Sequence, residues 1–187
     1  MKVADTEIPG VKLIHPKKFG DRRGFFSETY SRKAFAEAGI DQEFVQDNHA
    51  LSADIGTVRG LHFQIPPAAQ AKLIRVTRGA IFDVAVDIRH DSPTYGRWVG
   101  VTISAAEWNQ ILVPVGCAHG YCTLEPDTEV VYKVTALYAS DCDRGLSWND
   151  PAIGIKWPVA EANAVLSDKD RRQPRLAELP NFFTWKR

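Results

Sequence analysis

Phe82-Asp83-Val84-Ala85-Val86-Asp87-Ile88-Arg89 decides the fold class. Phe82, Val84, Val86 and Ile88 alternate with Asp83, Ala85, Asp87 and Arg89, a period of two that a pleated strand produces and a helix does not. Outward from it, Val99-Gly100-Val101-Thr102-Ile103, Ile111-Leu112-Val113 and Glu129-Val130-Val131-Tyr132-Lys133-Val134 repeat the β-branched bias of strands. Ser92-Pro93, Val113-Pro114 and Glu125-Pro126 punctuate them as turns. The best helix is short, with Ser31 as N-cap, Phe35 and Ala38 on its apolar side and Gly39 as its stop. A second helical turn is expected near Ser167, ahead of Pro174. Many short strands with few helices predict a sandwich, jelly roll or barrel. No repeat or linker divides the chain, so residues 1–187 are expected to form one domain with an N-terminal arm and a C-terminal helical segment. Unpaired strand edges favour pairing, so a homodimer exchanging the arm around residues 8–14 is expected.

Composition narrows the partners. Twenty-three basic and 23 acidic residues cancel, so bulk charge predicts neither nucleic acid nor a membrane surface as partner. No apolar run approaches the ~20 residues of a membrane span, and Met1-Lys2-Val3-Ala4-Asp5 lacks a secretion signal's apolar core. A cytoplasmic location is expected. Cys117, Cys122 and Cys142 are an odd number without a Cys-x-x-Cys pair, which speaks against a disulfide scaffold. On one strand Cys117 and His119 would face one side and Cys122 the other, a poor start for a zinc site.

The chemistry concentrates in Arg59-Gly60-Leu61-His62-Phe63-Gln64, then Pro66-Pro67 and Gln70-Ala71-Lys72. Strand parity sends Gly60, His62 and Gln64 one way and Leu61 and Phe63 the other. A histidine takes a proton near neutral pH, and an ammonium steadies the resulting anion. Tyr132 and Tyr138 share a face with Val134 and Ala136 if no bulge intervenes. A lumen lined by His62, Lys72, Tyr132 and Tyr138 would combine a base, a cation and phenolic acids. Each has an ordinary structural alternative as well: a satisfied strand histidine, a solvated lysine, a tyrosine bonded to backbone.

Three further features stand out. Asp21-Arg22-Arg23-Gly24-Phe25-Phe26-Ser27-Glu28 is either a charged turn or a site in which Arg23 grips a phosphate and Phe26 stacks on a flat ring. Pro114-Val115-Gly116-Cys117-Ala118-His119-Gly120 sets a histidine among small residues that let backbone approach a ligand. Asp170 gains meaning if it meets His62, since a carboxylate on the far nitrogen fixes the tautomer and raises basicity. His15 and His90 have no such company and read as surface residues.

These motifs together resemble the dTDP-4-dehydrorhamnose 3,5-epimerase family. The matching stretches are 19–28, 45–49, 59–72, 83–94, 114–120, 132–138, 148–158 and 167–174, in order and over most of the chain. The resemblance implies a cupin-like jelly-roll β-barrel and a cofactor-independent epimerase of a dTDP-4-keto-6-deoxyhexose, working at C3 and C5 in dTDP-rhamnose biosynthesis. It implies His62 as base oriented by Asp170, Tyr132 as proton donor, Lys72 on the C4 oxygen and His119 nearby on the sugar. Arg23, Glu28, Gln46, Asn48, Arg59 and Lys169 match nucleotide-sugar-binding positions, Phe26 a thymine stack, and Tyr138 a second tyrosine at the sugar. Four residues depart from the family pattern: Ala50 for serine, Cys117 for phenylalanine, Val115 for glutamate, and Asp143 for a glutamate near the nucleotide.

Metal-binding relatives of this fold carry a His-x-His pair, whereas this chain has His62-Phe63-Gln64. A neutral Gln64 beside a cationic Lys72 makes a poor cage for a divalent ion, so no metal or cofactor is expected. Alternatives to the double epimerase are a single-site 3- or 5-epimerase, a non-catalytic nucleotide-sugar binding module and a metal-dependent cupin dioxygenase. The retained His62, Lys72 and Tyr132 argue against the binding module, and the missing His-x-His against the dioxygenase.

Overall fold

The alternation at 82–89 becomes a strand at the heart of one sheet in the computed structural model, which describes residues 1–185. Lys186 and Arg187 of the expected 1–187 domain lie outside the described residues. In chain order the strands are β1 (Lys2–Asp5), β2 (Lys12–His15), β3 (Phe19–Asp21), β4 (Gly24–Phe26), β5 (Gln46–Ser52), β6 (Val58–Gln64) and β7 (Lys72–Arg78). They continue with β8 (Ala80–Asp87), β9 (Trp98–Ser104), β10 (Gln110–Val113), β11 (Cys117–Thr123), β12 (Thr128–Val134) and β13 (Asp143–Gly145). One helix, α1 (Arg32–Glu37), and a few single 3₁₀ turns complete the described elements. The fold is all-β, as expected. Six strands in the order β1-β2-β10-β7-β12-β5 face five in the order β13-β6-β11-β8-β9. β3 and β4 form a separate hairpin. The expected jelly roll is thus two facing sheets, and no strand pairing among the described residues closes them into a barrel.

Parity along β8 explains the core. Ile81 and Ala85 face the gap between the sheets, where they meet Ile74, Val76, Ile103, Ile111 and Val130. Val84, Val86 and Ile88 face outward, yet they are buried too, because the C-terminal segment lays Ile153 and Phe183 over them. The polar side of the alternation is therefore the inner one. Asp83 and Asp87 both have 0% exposure. Asp87 is satisfied by Arg89, Ser92 and Thr94 at 2.6–3.0 Å. Asp83 projects towards the site.

Local expectations fare unevenly. Ser31 caps α1 through a 3.4 Å bond from the Ala34 amide, Phe35 is its buried residue, and Gly39 follows with φ +77°. The helical turn near Ser167 is a single 3₁₀ turn at Asp170–Arg172. Residues 8–14 are not an exchanged arm in this chain. Ile8 and Val11 fill the inter-sheet core, and β2 pairs with β10, because a tight turn closed by Thr6 folds the segment back. His15 and His90 are half-buried rather than on the surface, and His90 packs on the Tyr95 ring.

Strand β6 carries the most consequential irregularity. Its pairing with β11 runs His62 opposite His119 and Arg59 opposite Tyr121, so that two residues, Gly60 and Leu61, stand against one, Gly120. This bulge turns Arg59 to the same side as His62, which regular alternation would forbid. Gly60 sits there with φ +131°, and a Cβ on it would lie 2.6 Å from the Gly120 Cα. Only a side-chain-free residue fits. Gly60→Ala is expected to cost about 3 kcal/mol through overpacking and positive-φ strain, seen as a Tm drop of roughly 6–12 °C by calorimetry.

Candidate active site

The open end of the inter-sheet space holds a cleft of about 490 Å³. It adjoins a second cavity of about 320 Å³ nearer the surface, and the two share His62, Lys72, Tyr132 and Lys169. Strand parity supplies the inner wall. On β6, His62 and Gln64 point in while Leu61 and Phe63 point to the outer core. On β11, Cys117, His119 and Tyr121 face in while Ala118 and Cys122 face out.

His62 and Asp170 do meet. The Nε2 of His62 lies 2.5 Å from Asp170 Oδ1. The turn at Ser167 delivers the carboxylate, with the Asp170 amide donating to Ser167 Oγ at 3.1 Å. Burial pushes the Asp170 carboxyl up, but His62, Ser167 and the Gly60 N–H outweigh it, so it lies below its ordinary value. An anionic Asp170 keeps the proton on Nε2 and leaves the Nδ1 lone pair free to accept one.

Across β6 stands a second pair that sequence reading missed. His119 Nε2 sits 2.9 and 3.0 Å from the two oxygens of Asp83. No local signal marked it, because the Asp83, Ala85, Asp87 and Arg89 side of the alternation reads as the solvent face. Lys72, on β7, reaches towards them, its Nζ donating to the His62 carbonyl at 3.3 Å. Loss of hydration pushes its ammonium down to about 8, against the pull of Asp143 and Asp83 and with help from Lys169. Tyr132, on β12, lines both cavities. Burial pushes its phenol up, opposed by Arg59 and reinforced by Asp143, so it remains a proton donor at neutral pH.

Tyr138 reaches the mouth by another route than expected. β12 stops at Val134, so Tyr138 does not continue a face with Tyr132; it is 61% exposed and its hydroxyl donates to Asp143 at 3.2 Å. Three glutamines hold this segment. Gln46 accepts from the Tyr138 amide at 3.0 Å, Gln64 donates to Leu137 and accepts from Ala139, and Gln70 donates to Ala136. Gln46 also donates to Asn48 at 2.9 Å. Lys169 bridges to Asp143 at 2.5 Å. Gln46, Asn48, Tyr138, Asp143 and Lys169 thus gather at the outer cavity, while Arg59, His119 and Asp170 line the inner one. Ala50 also lines the inner cleft.

Arg23, Phe26 and Glu28 do not join them. They belong to or follow the β3–β4 hairpin, where Arg23 bonds Asp21 and Phe26 is 70% exposed. None of the three lines either cavity. All three cysteines carry free thiols, and burial pushes Cys117 up to about 12 and Cys122 to about 11. Among the described residues no cluster of three His, Cys, Asp or Glu is spaced to hold a metal, and Gln64 is taken up by backbone bonds. No described helix is long and apolar enough to cross a membrane.

An oriented histidine, a buried ammonium and protonated phenols at the end of two facing sheets define an all-β, cupin-like enzyme of acid–base chemistry that takes a small-molecule substrate. The chain belongs to the dTDP-4-dehydrorhamnose 3,5-epimerase family, whose model matches residues 5–178. It is 57% identical to the enzyme of that name from Sinorhizobium fredii over 185 residues, 99% of this chain and 94% of that one. The Bacillus anthracis enzyme, solved with TDP and pyrophosphate bound, is 52% identical, with a TM-score of 0.90 over 93% of this chain and 98% of that one. A Legionella pneumophila epimerase in complex with dTDP-4-keto-L-rhamnose superposes with a TM-score of 0.94 at 39% identity, covering 100% of this chain and 99% of that one.

Lys72 gives the site a measurable pH signature. It can hold an enolate oxygen only while protonated, so kcat/KM is expected to fall as pH rises through about 8. Stability moves the other way: with a folded pKa below the ordinary 10.5, the unfolded chain binds more protons between those values, so stability rises with pH across that window. Lys72→Met should lower kcat roughly 10²–10³-fold, abolish the alkaline limb and leave Tm at pH 7 unchanged or higher.

Proposed function

We propose that the chain epimerises dTDP-4-dehydro-6-deoxy-D-glucose at C3 and C5 to dTDP-4-dehydro-L-rhamnose, without a cofactor, in dTDP-L-rhamnose biosynthesis. The observation that carries this is the His62–Asp170 pair set in one cleft with Lys72 and Tyr132. The C4 ketone acidifies the hydrogens on both neighbouring carbons. His62 Nδ1 takes one of them, and the C–H electron pair moves into the ring to leave charge on the C4 oxygen. Lys72 and His119, the latter held by Asp83, donate to that oxyanion. Tyr132 returns a proton to the carbon from the opposite face, and solvent then restores Tyr132 and relieves the imidazolium. Two centres need two such rounds, with the ring turned between them.

Gln46, Asn48, Arg59, Asp143 and Lys169 are proposed to hold the nucleotide sugar, with Tyr138 against the sugar at the mouth. Phe26, Arg23 and Glu28 are assigned to the same substrate, and their distance from their own cleft favours a homodimer in which the β3–β4 hairpin serves the partner's site. Phe19, Phe25 and Phe26 make that hairpin an exposed aromatic surface, 54–70% accessible, which a lone subunit would leave in water. Residues 1–187 are taken as one domain. Free thiols fit a cytoplasmic location.

Incubation with dTDP-4-keto-6-deoxyglucose in deuterium oxide, read by NMR, is expected to place label at C3 and C5. Label at one carbon would select a single-site epimerase, the activity named for a 3'-monoepimerase of Streptomyces bikiniensis 35% identical to this chain. His62→Ala should abolish exchange at both carbons with ligand binding largely intact; near-normal exchange would overturn its assignment as the base.

The shared site has its own test. Arg23→Ala and His62→Ala chains, each nearly inactive alone, should regain about a quarter of wild-type activity when co-expressed, since half the dimers are mixed and each has one intact site. No recovery would place Arg23 in its own chain's site or outside catalysis.

A further inference from the structure

Tyr121 is a buried polar residue that the mechanism leaves without a role. Its ring is packed in the inter-sheet core and only 5% of the residue is exposed. Its hydroxyl has no hydrogen-bond partner among the described residues, although Tyr121 lines the inner cleft. Buried tyrosine hydroxyls nearly always find a partner, so an orphan at a cavity wall needs a reason.

Neighbours supply no acceptor for its proton. Ser52 lies beside it and accepts from Arg59 Nε at 3.0 Å, and its own hydroxyl hydrogen can turn only to the phenol oxygen, so the phenol O–H still lacks an acceptor. Arg59 Nη2 donates to the Leu51 carbonyl at 2.9 Å, which leaves Nη1 for the cleft. The β6 bulge sets Tyr121 directly opposite Arg59, and two residues beyond His119 on the same face. Burial pushes the phenol up to about 12, with Arg59 and Ser52 opposing, so the hydroxyl is a neutral donor throughout the working range.

We infer that the Tyr121 hydroxyl is a substrate-binding group, donating a hydrogen bond to an oxygen of the bound nucleotide sugar beside Arg59. This rests on the function proposed above. The oxygen belongs to the hexose or to the phosphate next to it; both present an acceptor to a phenol and a guanidinium. A site built to bond a substrate oxygen discriminates more sharply than an apolar wall of the same shape.

Tyr121→Phe tests this with little change of shape. Loss of one such bond should raise KM for dTDP-4-keto-6-deoxyglucose about tenfold, with kcat within twofold of wild type. Tm of the ligand-free variant should equal or exceed wild type, because the deleted O–H donates to nothing in the ligand-free chain. Weaker binding of dTDP itself would assign the bond to the phosphate side, and normal dTDP binding with raised KM to the hexose; both support the inference. An unchanged KM, or a lowered Tm with unchanged KM as expected of a structural bond to Ser52, would overturn it. If the wild-type chain shows no exchange, the function falls and this assignment with it; normal wild-type exchange with an unaltered variant overturns the assignment alone.

Discussion

The close approach of Gly60 and Gly120 is the constraint from which the site follows. Where two strands cross with no side chain between them, β6 can take an extra residue and still pair with β11 on both sides of it. The outcome is a change of phase. Arg59 and His62 fall on one face, while Val58, Leu61 and Phe63 all enter the outer core. A regular strand would have forced a choice between a cleft with a guanidinium and a cleft with a base. The bulge also sets His62 across from His119, so the two imidazoles of the site are neighbours through backbone pairing rather than through loop geometry.

Charge placement follows from burial on both sides of β8. Asp83 and Asp87 are equally inaccessible, and each is satisfied in a different way. Asp87 is closed off by Arg89 and two hydroxyls and ties the 87–94 turn together. Asp83 has one partner, His119, which faces the cleft. The same chemical type on one strand thus holds a turn at one position and orients an imidazole at the other. Asp170 repeats the orienting role from outside the sheets, carried in on a 3₁₀ turn packed against β6.

Sequence periodicity exposed most of the scaffold. The strands around 82–88, 99–103 and 129–134 were legible because alternation and β-branching are local properties, and α1 because its cap and its stop are single residues. His62, Lys72 and Tyr132 were legible as chemical types, and the family pattern pointed to Asp170. Asp83 was hidden: its strand reads as half-exposed, while the chain's own C-terminal segment covers the outer face. The reach of Tyr138 was misjudged because side-chain amides, not a continuing strand, fix its backbone. Residues 8–14 looked like an arm since nothing local says that Ile8 and Val11 fill their own core. The position of Arg23, Phe26 and Glu28 depends on what a hairpin packs against, which no short stretch encodes.

The glutamine clasp around the 136–139 segment has a further consequence. Gln46, Gln64 and Gln70 are carboxamides, with nothing to gain or lose as protons or salt come and go. The hold on this backbone is therefore electrically inert, although the Lys169–Asp143 ion pair beside it is charged and Lys72, Asp170 and Tyr132 behind it titrate. Acidity and ionic strength can retune the charged groups around the cleft while the 136–139 backbone keeps its place, so the course of the chain at the doorway is set apart from the moving of protons.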